Sequence, residues 1–385
     1  MLFRKTPIAL KLSVLAVAAL VAGPSAVTAQ DKSVSFNASN WLPAGHPLAK
    51  HSYVEWLPRL EEASGGTLKP KLFSGPVLMP PVEHLSGISS GIAQVGYHAG
   101  TYTPAALPED NAISQLAFNY SNPYPLAFAV TEANMTMPRL LDRWKSHNIA
   151  FLGGYSTSPY ILLCSKRIET LADMKGTKIR VPGAAQSDWV ASVGGVPVNV
   201  PSSEMYDGLD KGQLDCAAIT ALDLESRSLW DVTKYVTVLE LGLYWAGYSQ
   251  GVNRDFWQGL SDAQRQAFFD TLPEAMIDET VHYVSADRKA LDEAAEHGVE
   301  IIEPAEDLKA SVEAFAGQVR ANAVTQGDDT FGLTDTETML SDFEAIVAKW
   351  EKRLDGMDDS DRDALVEIAR DELFGQRDAS TYALD

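Results

Sequence analysis

The chain has 385 residues, is 45% apolar and carries a formal net charge of −21, a size that calls for two lobes rather than one hydrophobic core. The apolar fraction excludes a disordered polymer, and so acidic a surface argues against nucleic acid or an anionic membrane as partner. A small anionic ligand is not excluded, because a pocket can be positive locally.

The first residues read as an export signal. Arg4 and Lys5 precede a mostly apolar run from Ile8 to Ala22, interrupted by Lys11, and Val27-Thr28-Ala29 puts small residues at the two positions a signal peptidase reads, with cleavage after Ala29. The run is shorter than the roughly 20 residues a membrane span needs, and no cysteine stands near it to carry a lipid. The mature chain from Gln30 is therefore expected to be soluble and periplasmic; an uncleaved anchor is the alternative. Loss of the three basic residues Arg4, Lys5 and Lys11, with no acids among residues 1–29, takes the charge from −21 to −24.

Downstream, Val34 to Ala38 alternates as a strand, and Trp41 to Pro47 is a loop by its Pro and Gly content. The spacing Val54, Leu57, Leu60, Ala63 predicts a helix from His51 to Ser64, closed by Gly65-Gly66. Leu68–Phe73 is a second strand, Val82–Ser90 a helix and Ala93–Tyr97 a third strand, followed by a loop from His98 to Pro108. This βαβαβ order predicts a parallel sheet. A helix over Leu126–His147 and a strand at Ile149–Gly153 follow. The pattern then restarts, with strands at Tyr160–Ser165, Thr177–Val181 and Leu214–Ile219 and helices at Ala185–Val193 and Ser202–Gly212. Strands at Tyr235–Glu240 and Trp245–Val252 come next, and beyond Ser261 the chain reads as helical nearly to its end. The plan is α/β: two lobes with a cleft between them and a helical C-terminal region, whose last segment is expected to pack onto the body.

Gly87-Ile88-Ser89-Ser90-Gly91 matches G-x-S-x-G but closes a predicted helix rather than turning a strand into one, so no hydrolase elbow is expected, and the zinc-protease and phosphate-loop motifs are absent from the sequence. The seven histidines are scattered, and no Cys/His spacing suggests a metal site, so neither metal nor cofactor is expected. Asp223 and Glu225 follow a strand end but are two apart and point differently. Cys164 and Cys216 fall near predicted strands; a disulfide, if those strands are neighbours, and two buried thiols are both open.

Arg180 is the most informative charge. It lies in a short apolar strand, between Ile179 and Val181, that ends at Pro182-Gly183, the place where α/β sheets present ligand contacts. A guanidinium there suits a carboxylate, through two parallel hydrogen bonds; a surface Arg closing a strand is the plainer reading. Aromatics and amides cluster near the predicted strand ends: Trp41, Tyr97, Tyr102, Phe118, Asn119, Tyr155, Tyr160, Tyr244 and Trp245. Singly each is a core residue; as a group they suit a cleft that clasps an organic body.

The segment Asp173-Met174-Lys175-Gly176-Thr177-Lys178-Ile179-Arg180-Val181-Pro182, with Glu204-Met205-Tyr206 and Gly212-Gln213-Leu214-Asp215 downstream, resembles the substrate-binding proteins of tripartite ATP-independent periplasmic (TRAP) transporters, the family of the C4-dicarboxylate and sialic-acid binders. The likeness extends to His46-Pro47, to Gly91–Gly96 and to Asn253–Trp257. It implies that Arg180 salt-bridges the substrate carboxylate, that the lobes close over the ligand about a hinge crossed more than once, that a long helix spans both, and that the closed form docks on membrane subunits. It divides the chain into a signal peptide (1–29), a first lobe (30–154), a second lobe carrying Arg180 (155–244), a hinge return with helices completing both lobes (245–326) and a C-terminal extension (327–385) longer than the family leads one to expect.

Two departures shape the ligand. The second arginine of the sialic-acid type is missing from Tyr155-Ser156-Thr157-Ser158-Pro159-Tyr160, and Ile219-Thr220 stands where an asparagine often follows the Gly-x-x-Asp strand. The site is thus less cationic and more aromatic than a dicarboxylate pocket, which favours a monocarboxylate with an aromatic, apolar or onium body. A dicarboxylate or sugar acid stays open, with His98 or Arg227 helping. Tyr97, His98, Tyr102 and Phe118 are expected to wall the first lobe, Tyr155, Tyr160, Thr220 and Trp245 the second, with Gly183 and Ser202 as extra donors. The rival functions are an exported enzyme acting on small organic acids and a periplasmic ligand sensor.

Overall fold

A computed structural model describes residues 1–3, 31–358 and 361–385; the expected signal run and its cleavage point lie outside the described residues. Two sheets organise the chain. The first contains β1 (Val34–Asn40), β2 (Leu68–Ser74), β3 (Val95–Ala99), β4 (Ile149–Gly153) and, returning late, β10 (Gly247–Asn253), in the order β2-β1-β3-β10-β4. β1 runs parallel to β2 and β3, whereas β10 is antiparallel to β3 and β4. The second contains β5 (Ile161–Cys164), β6 (Lys178–Val181), β7 (Val196–Asn199), β8 (Cys216–Ile219), β9 (Tyr235–Thr237) and β11 (Glu300–Ile302), in the order β11-β9-β5-β8-β6-β7.

β7 and β11 were not expected from the sequence. β7 follows Gly194-Gly195 and contains Pro197, which an edge strand tolerates because one row of its backbone groups is unpaired. β11 is three residues long, inside a region dominated by helices, and sits at the opposite edge. The single helix expected over Leu126–His147 is two, Pro123–Thr136 and Pro138–Ser146. Pro138 forces Met137 into extended backbone (φ −71°, ψ 119°) and ends the first of them. The loop expected from His98 to Pro108 starts later, since β3 runs to Ala99, and ends where Pro108 opens a helix that runs to Ser114.

Cys164 and Cys216 sit directly opposite each other on antiparallel β5 and β8, with Cα atoms 4.0 Å apart, and are joined as a disulfide. This resolves the alternative the sequence left open.

The lobes are connected by two strands of chain that bond to each other. Tyr160 N–H donates to Gly242 O (2.9 Å), Leu241 N–H to Tyr160 O (2.8 Å) and Thr157 N–H to Tyr244 O (3.0 Å). The rings of Tyr160 and Tyr244 stack across this ribbon at 5.8 Å. Gly242 makes the fit possible: its φ is +78°, and a Cβ would lie 2.3 Å from Ala117 O. A third connection is the 32-residue helix Asp262–Glu293, opened by a capping box of Ser261 and Gln264. It packs on the first lobe's Trp56–Ala63 helix and reaches the second lobe's Asp223–Ser226 helix.

The C-terminal region is fastened to the body. Helix Glu306–Asp329 touches both lobes, with Phe315 against Phe118 at 4.9 Å and Gln326 bonded to Asp188. Helix Thr336–Leu354 buries Trp350 against Phe128 at 4.7 Å, and the Tyr382 hydroxyl donates to Phe151 O at 2.7 Å. Among the described residues no helix is long and apolar enough to cross a membrane.

Candidate functional site

The β6 strand alternates, so Ile179 and Val181 enter the second lobe's core while Arg180 faces the other way. Arg180 is 1% exposed. Its Nε donates to Val200 O (3.0 Å), Nη1 to Ala218 O (3.2 Å) and Nη2 to the Tyr102 hydroxyl (3.2 Å). A guanidinium has five N–H groups, so these three bonds leave two unspent. Among the described residues no carboxylate lies within ion-pair distance of it. A buried charge held only by neutral acceptors is costly unless an anion completes it.

Around Arg180 the two lobes close down to a narrow gap of about 20 Å³. The first lobe contributes Trp41, His46, Tyr97 and Tyr102, the second Ser202, Asp223 and Arg227, the connecting ribbon Tyr160 and Tyr244, and the long helix Tyr283. The lobes touch here. Thr101 Oγ1 donates to Pro182 O (2.5 Å), and Ser202 N–H donates to the Tyr102 hydroxyl (2.9 Å). Gly183 belongs to this contact, because a Cβ there would lie 2.8 Å from Thr101 Cγ2.

The wall is aromatic. Trp41 packs at 5.4 Å from Tyr97 and 5.6 Å from Tyr102, and the Arg227 guanidinium sits 5.7 Å from the Trp41 ring centre. Burial pushes the phenols of Tyr97, Tyr160, Tyr244 and Tyr283 up, so they remain neutral hydrogen-bonding groups. Arg227 Nε donates to Asp223 Oδ1 at 2.6 Å. Burial holds His46 down to about 3, against the opposing pull of Asp223, so its ring is neutral.

Of the residues expected at the site, the structure brings Arg180, Tyr97, Tyr102, Tyr160, Ser202 and Trp41 into this cavity wall. Others lie elsewhere. His98 falls between Tyr97 and Ala99 on β3, so strand alternation turns it to the opposite face, against Thr103 (2.7 Å) and Tyr248. Tyr155 stands behind Tyr97, with their hydroxyls 3.0 Å apart. Thr220 is likewise one layer back, between Asp223 and Tyr283. Gly183 and Trp245 line a separate gap next to Thr101, Phe118 is taken up by Phe315, and Asn119 is exposed.

His46, Asp223 and Tyr283 were not among the residues expected at the site, and Arg227 was expected there only as a helper for a second acid or a sugar acid. Asp223 and Arg227 carried a signal, their spacing of four on a short helix just past a strand end. Tyr283 carried none: it sits mid-helix, and only the crossing of that helix over the cleft brings it there. Among the described residues no cluster of His, Cys, Asp or Glu fits a metal ion.

Comparison with known proteins adds the lineage. The sequence pattern of the family described as "Bacterial extracellular solute-binding protein, family 7" matches residues 38–325. The ectoine-binding periplasmic protein TeaA of Halomonas elongata is 25% identical over 152 residues, 39% of this chain and 43% of that protein. The chain spans about half the length of the curated relatives it matches. A TRAP periplasmic solute-binding protein from Bordetella bronchiseptica, solved with mandelate, superimposes with a TM-score of 0.71 at 22% identity, covering 82% of this chain and 99% of that one. One from Rhodoferax ferrireducens, solved with benzoate, gives 0.73 at 20% identity, covering 83% and 99%. At these identities the structural likeness speaks for the fold.

Proposed function

Because the chain belongs to bacterial extracellular solute-binding protein family 7, we propose that it captures a small organic monocarboxylate between its lobes, outside the cytoplasm, and delivers it to the membrane subunits of a TRAP-type transporter. Arg180 is the anchor. The observation that carries the reading is its burial at 1% exposure with no carboxylate partner among the described residues and two N–H groups unspent. A carboxylate supplies the missing charge and both acceptors at once.

The charge balance favours a monoanion. Arg180 and Arg227 contribute two positive charges, Asp223 one negative, and His46 none. One carboxylate brings the cavity to neutrality; two would leave a buried excess. Trp41, Tyr97, Tyr102, Tyr160 and Tyr244 suit a flat aromatic or apolar body, in keeping with the mandelate and benzoate of the two similar structures. Capture works as a population shift: a ligand touching both lobes binds the closed arrangement better and so favours it.

Calorimetry with a panel of aromatic and aliphatic carboxylates tests this. At least one monocarboxylate is expected to bind, and Arg180→Ala is expected to lose roughly 2–5 kcal/mol of its affinity while melting as a folded protein. Unaltered affinity in that variant removes the anchor.

A further inference from the structure

The cavity has a second polar corner, distinct from Arg180, and its hydrogen bonds all run one way. His46 Nδ1 accepts from Leu48 N–H at 3.2 Å, so the neutral ring carries its proton on Nε2. That N–H meets only Asp223 Oδ1, at 3.8 Å, too far for a hydrogen bond. Trp41 Nε1–H is buried with no partner among the described residues. Arg227 spends Nε on Asp223, and its terminal nitrogens make no hydrogen bond among the described residues.

Most acceptor sites of the corner's carboxylate are already used. Asp223 Oδ1 receives Arg227 (2.6 Å) and Ser226 (3.3 Å), and Oδ2 receives Thr220 (3.0 Å). Thr220 gives its proton to Asp223, so the Tyr283 hydroxyl, 3.0 Å away, gives its own to Thr220. Three residues of the wall thus hold unspent N–H donors, while the one carboxylate already receives three hydrogen bonds.

We infer that this corner selects, among monocarboxylates, those whose body carries an uncharged oxygen acceptor (a hydroxyl, keto or lactam oxygen) away from the acid, and that His46, Trp41 and Arg227 read that oxygen. A buried donor left unmade penalises an analogue that lacks its partner far more than a missing methylene does. A second carboxylate is disfavoured because it has to share Arg227 with Asp223, and a cationic body because it meets the Arg227 charge and these donors. The inference rests on the carboxylate reading above and narrows its substrate class.

Two matched pairs test it: meta- or para-hydroxybenzoate against the corresponding toluate, and levulinate against isocaproate, each pair differing by an oxygen replaced with a carbon group of similar size. In the wild-type protein the oxygenated member of at least one pair is expected to bind about tenfold or more tighter. His46→Asn keeps an acceptor for Leu48 N–H but withdraws the ring N–H; Asp223→Asn with Arg227→Met removes the ion pair without stranding a charge. Both are expected to shrink the ratio within the pair to about threefold or less. Equal binding within both pairs overturns the inference, as does a preference that survives both variants, and in either case the carboxylate reading stands. If none of these acids binds and no other carboxylate does, the carboxylate reading falls and takes the inference with it. If the only acids that bind lack such an oxygen, the inference alone falls.

Discussion

The Tyr102 hydroxyl, carried by the first lobe, accepts a hydrogen bond from Arg180 Nη2 of the second at 3.2 Å. The same oxygen accepts from Ser202 N–H at 2.9 Å, so one phenol ties the anchoring charge and a neighbouring turn to the opposite lobe. A charge-assisted bond of this kind contributes about 1.5–3 kcal/mol. Tyr102→Phe keeps the ring beside Trp41 and withdraws only the hydroxyl, which accepts from Arg180 and Ser202 N–H and donates to Ser202 Oγ at 3.4 Å. Carboxylate affinity is expected to fall roughly tenfold or more, read by calorimetry. An affinity equal to wild type shows that the contact does not support closure.

Gly183 is expected to control whether the lobes can meet. Its backbone is extended (φ −171°), which any residue adopts, so the reason for glycine is space: a Cβ would lie 2.8 Å from Thr101 Cγ2. Gly183→Val is expected to fold with a melting temperature near wild type but to bind ligand more than about tenfold weaker, since contraction on ligand addition, followed by small-angle scattering, is blocked. In Gly183→Ala, adding Thr101→Ser, which deletes the opposing methyl, is expected to recover part of the affinity. A Gly183→Val protein that contracts normally sinks the idea.

Gly242 has a different constraint. Both its φ of +78° and the 2.3 Å approach of Ala117 O exclude a side chain. Gly242→Ala is expected to cost about 2 kcal/mol or more by urea denaturation, because the neighbour is backbone and cannot step aside.

These glycines mark the limit of what the chain declared. The run Ile179-Arg180-Val181 before Pro182-Gly183 was legible because alternation and a turn signal are local. The strand assignments of the first sheet were legible for the same reason. His98 was placed on the wrong face by reading its position at a strand end without applying the alternation that Tyr97 had already fixed. β7 was hidden by Pro197, whose meaning depends on being at an edge, which is a property of the assembled sheet. Tyr283 and the wall role of Asp223 depend on how one long helix crosses two lobes, and no window of sequence contains that crossing.

The Cys164–Cys216 bridge closes a segment with a sequence separation of 52. On the chain-entropy account such a loop contributes about 4 kcal/mol. The paired Cys164→Ala, Cys216→Ala variant is expected to melt several degrees lower, and reductant is expected to lower the wild-type melting temperature toward it while leaving the variant unmoved. Insensitivity of the wild type to reductant under denaturing conditions contradicts this.

Stability is expected to fall as pH rises above neutrality, opposite to the behaviour of a protein dominated by exposed carboxylates. Burial holds the Asp110 carboxyl up at about 7, against the opposing Gly247 N–H, the Asp287 carboxyl up at about 7, against the Leu222 and Ala221 N–H groups, and the Glu279 carboxyl up at about 8, against the Ser52 hydroxyl. Burial holds His46 and His98 down at about 3 and His84 at about 4. Above the ordinary histidine value of 6.5 these rings are neutral in both folded and unfolded chains and add no slope. The three acids differ: unfolded, they have already released their protons, while the folded chain still holds them. The folded state then binds more protons, so stability declines from about pH 6.5 until Glu279 ionises near 8. Between 4.5 and 6.5 the unfolded chain gains histidine protons that the folded chain refuses, which opposes the carboxyl effect and leaves a broad maximum. Glu279→Gln keeps an acceptor for Ser52 and removes the titration. It is expected to flatten the alkaline decline and to melt higher than wild type near pH 8. Melting curves across this range decide the matter: a wild-type stability that climbs from 6.5 to 8 contradicts the sign.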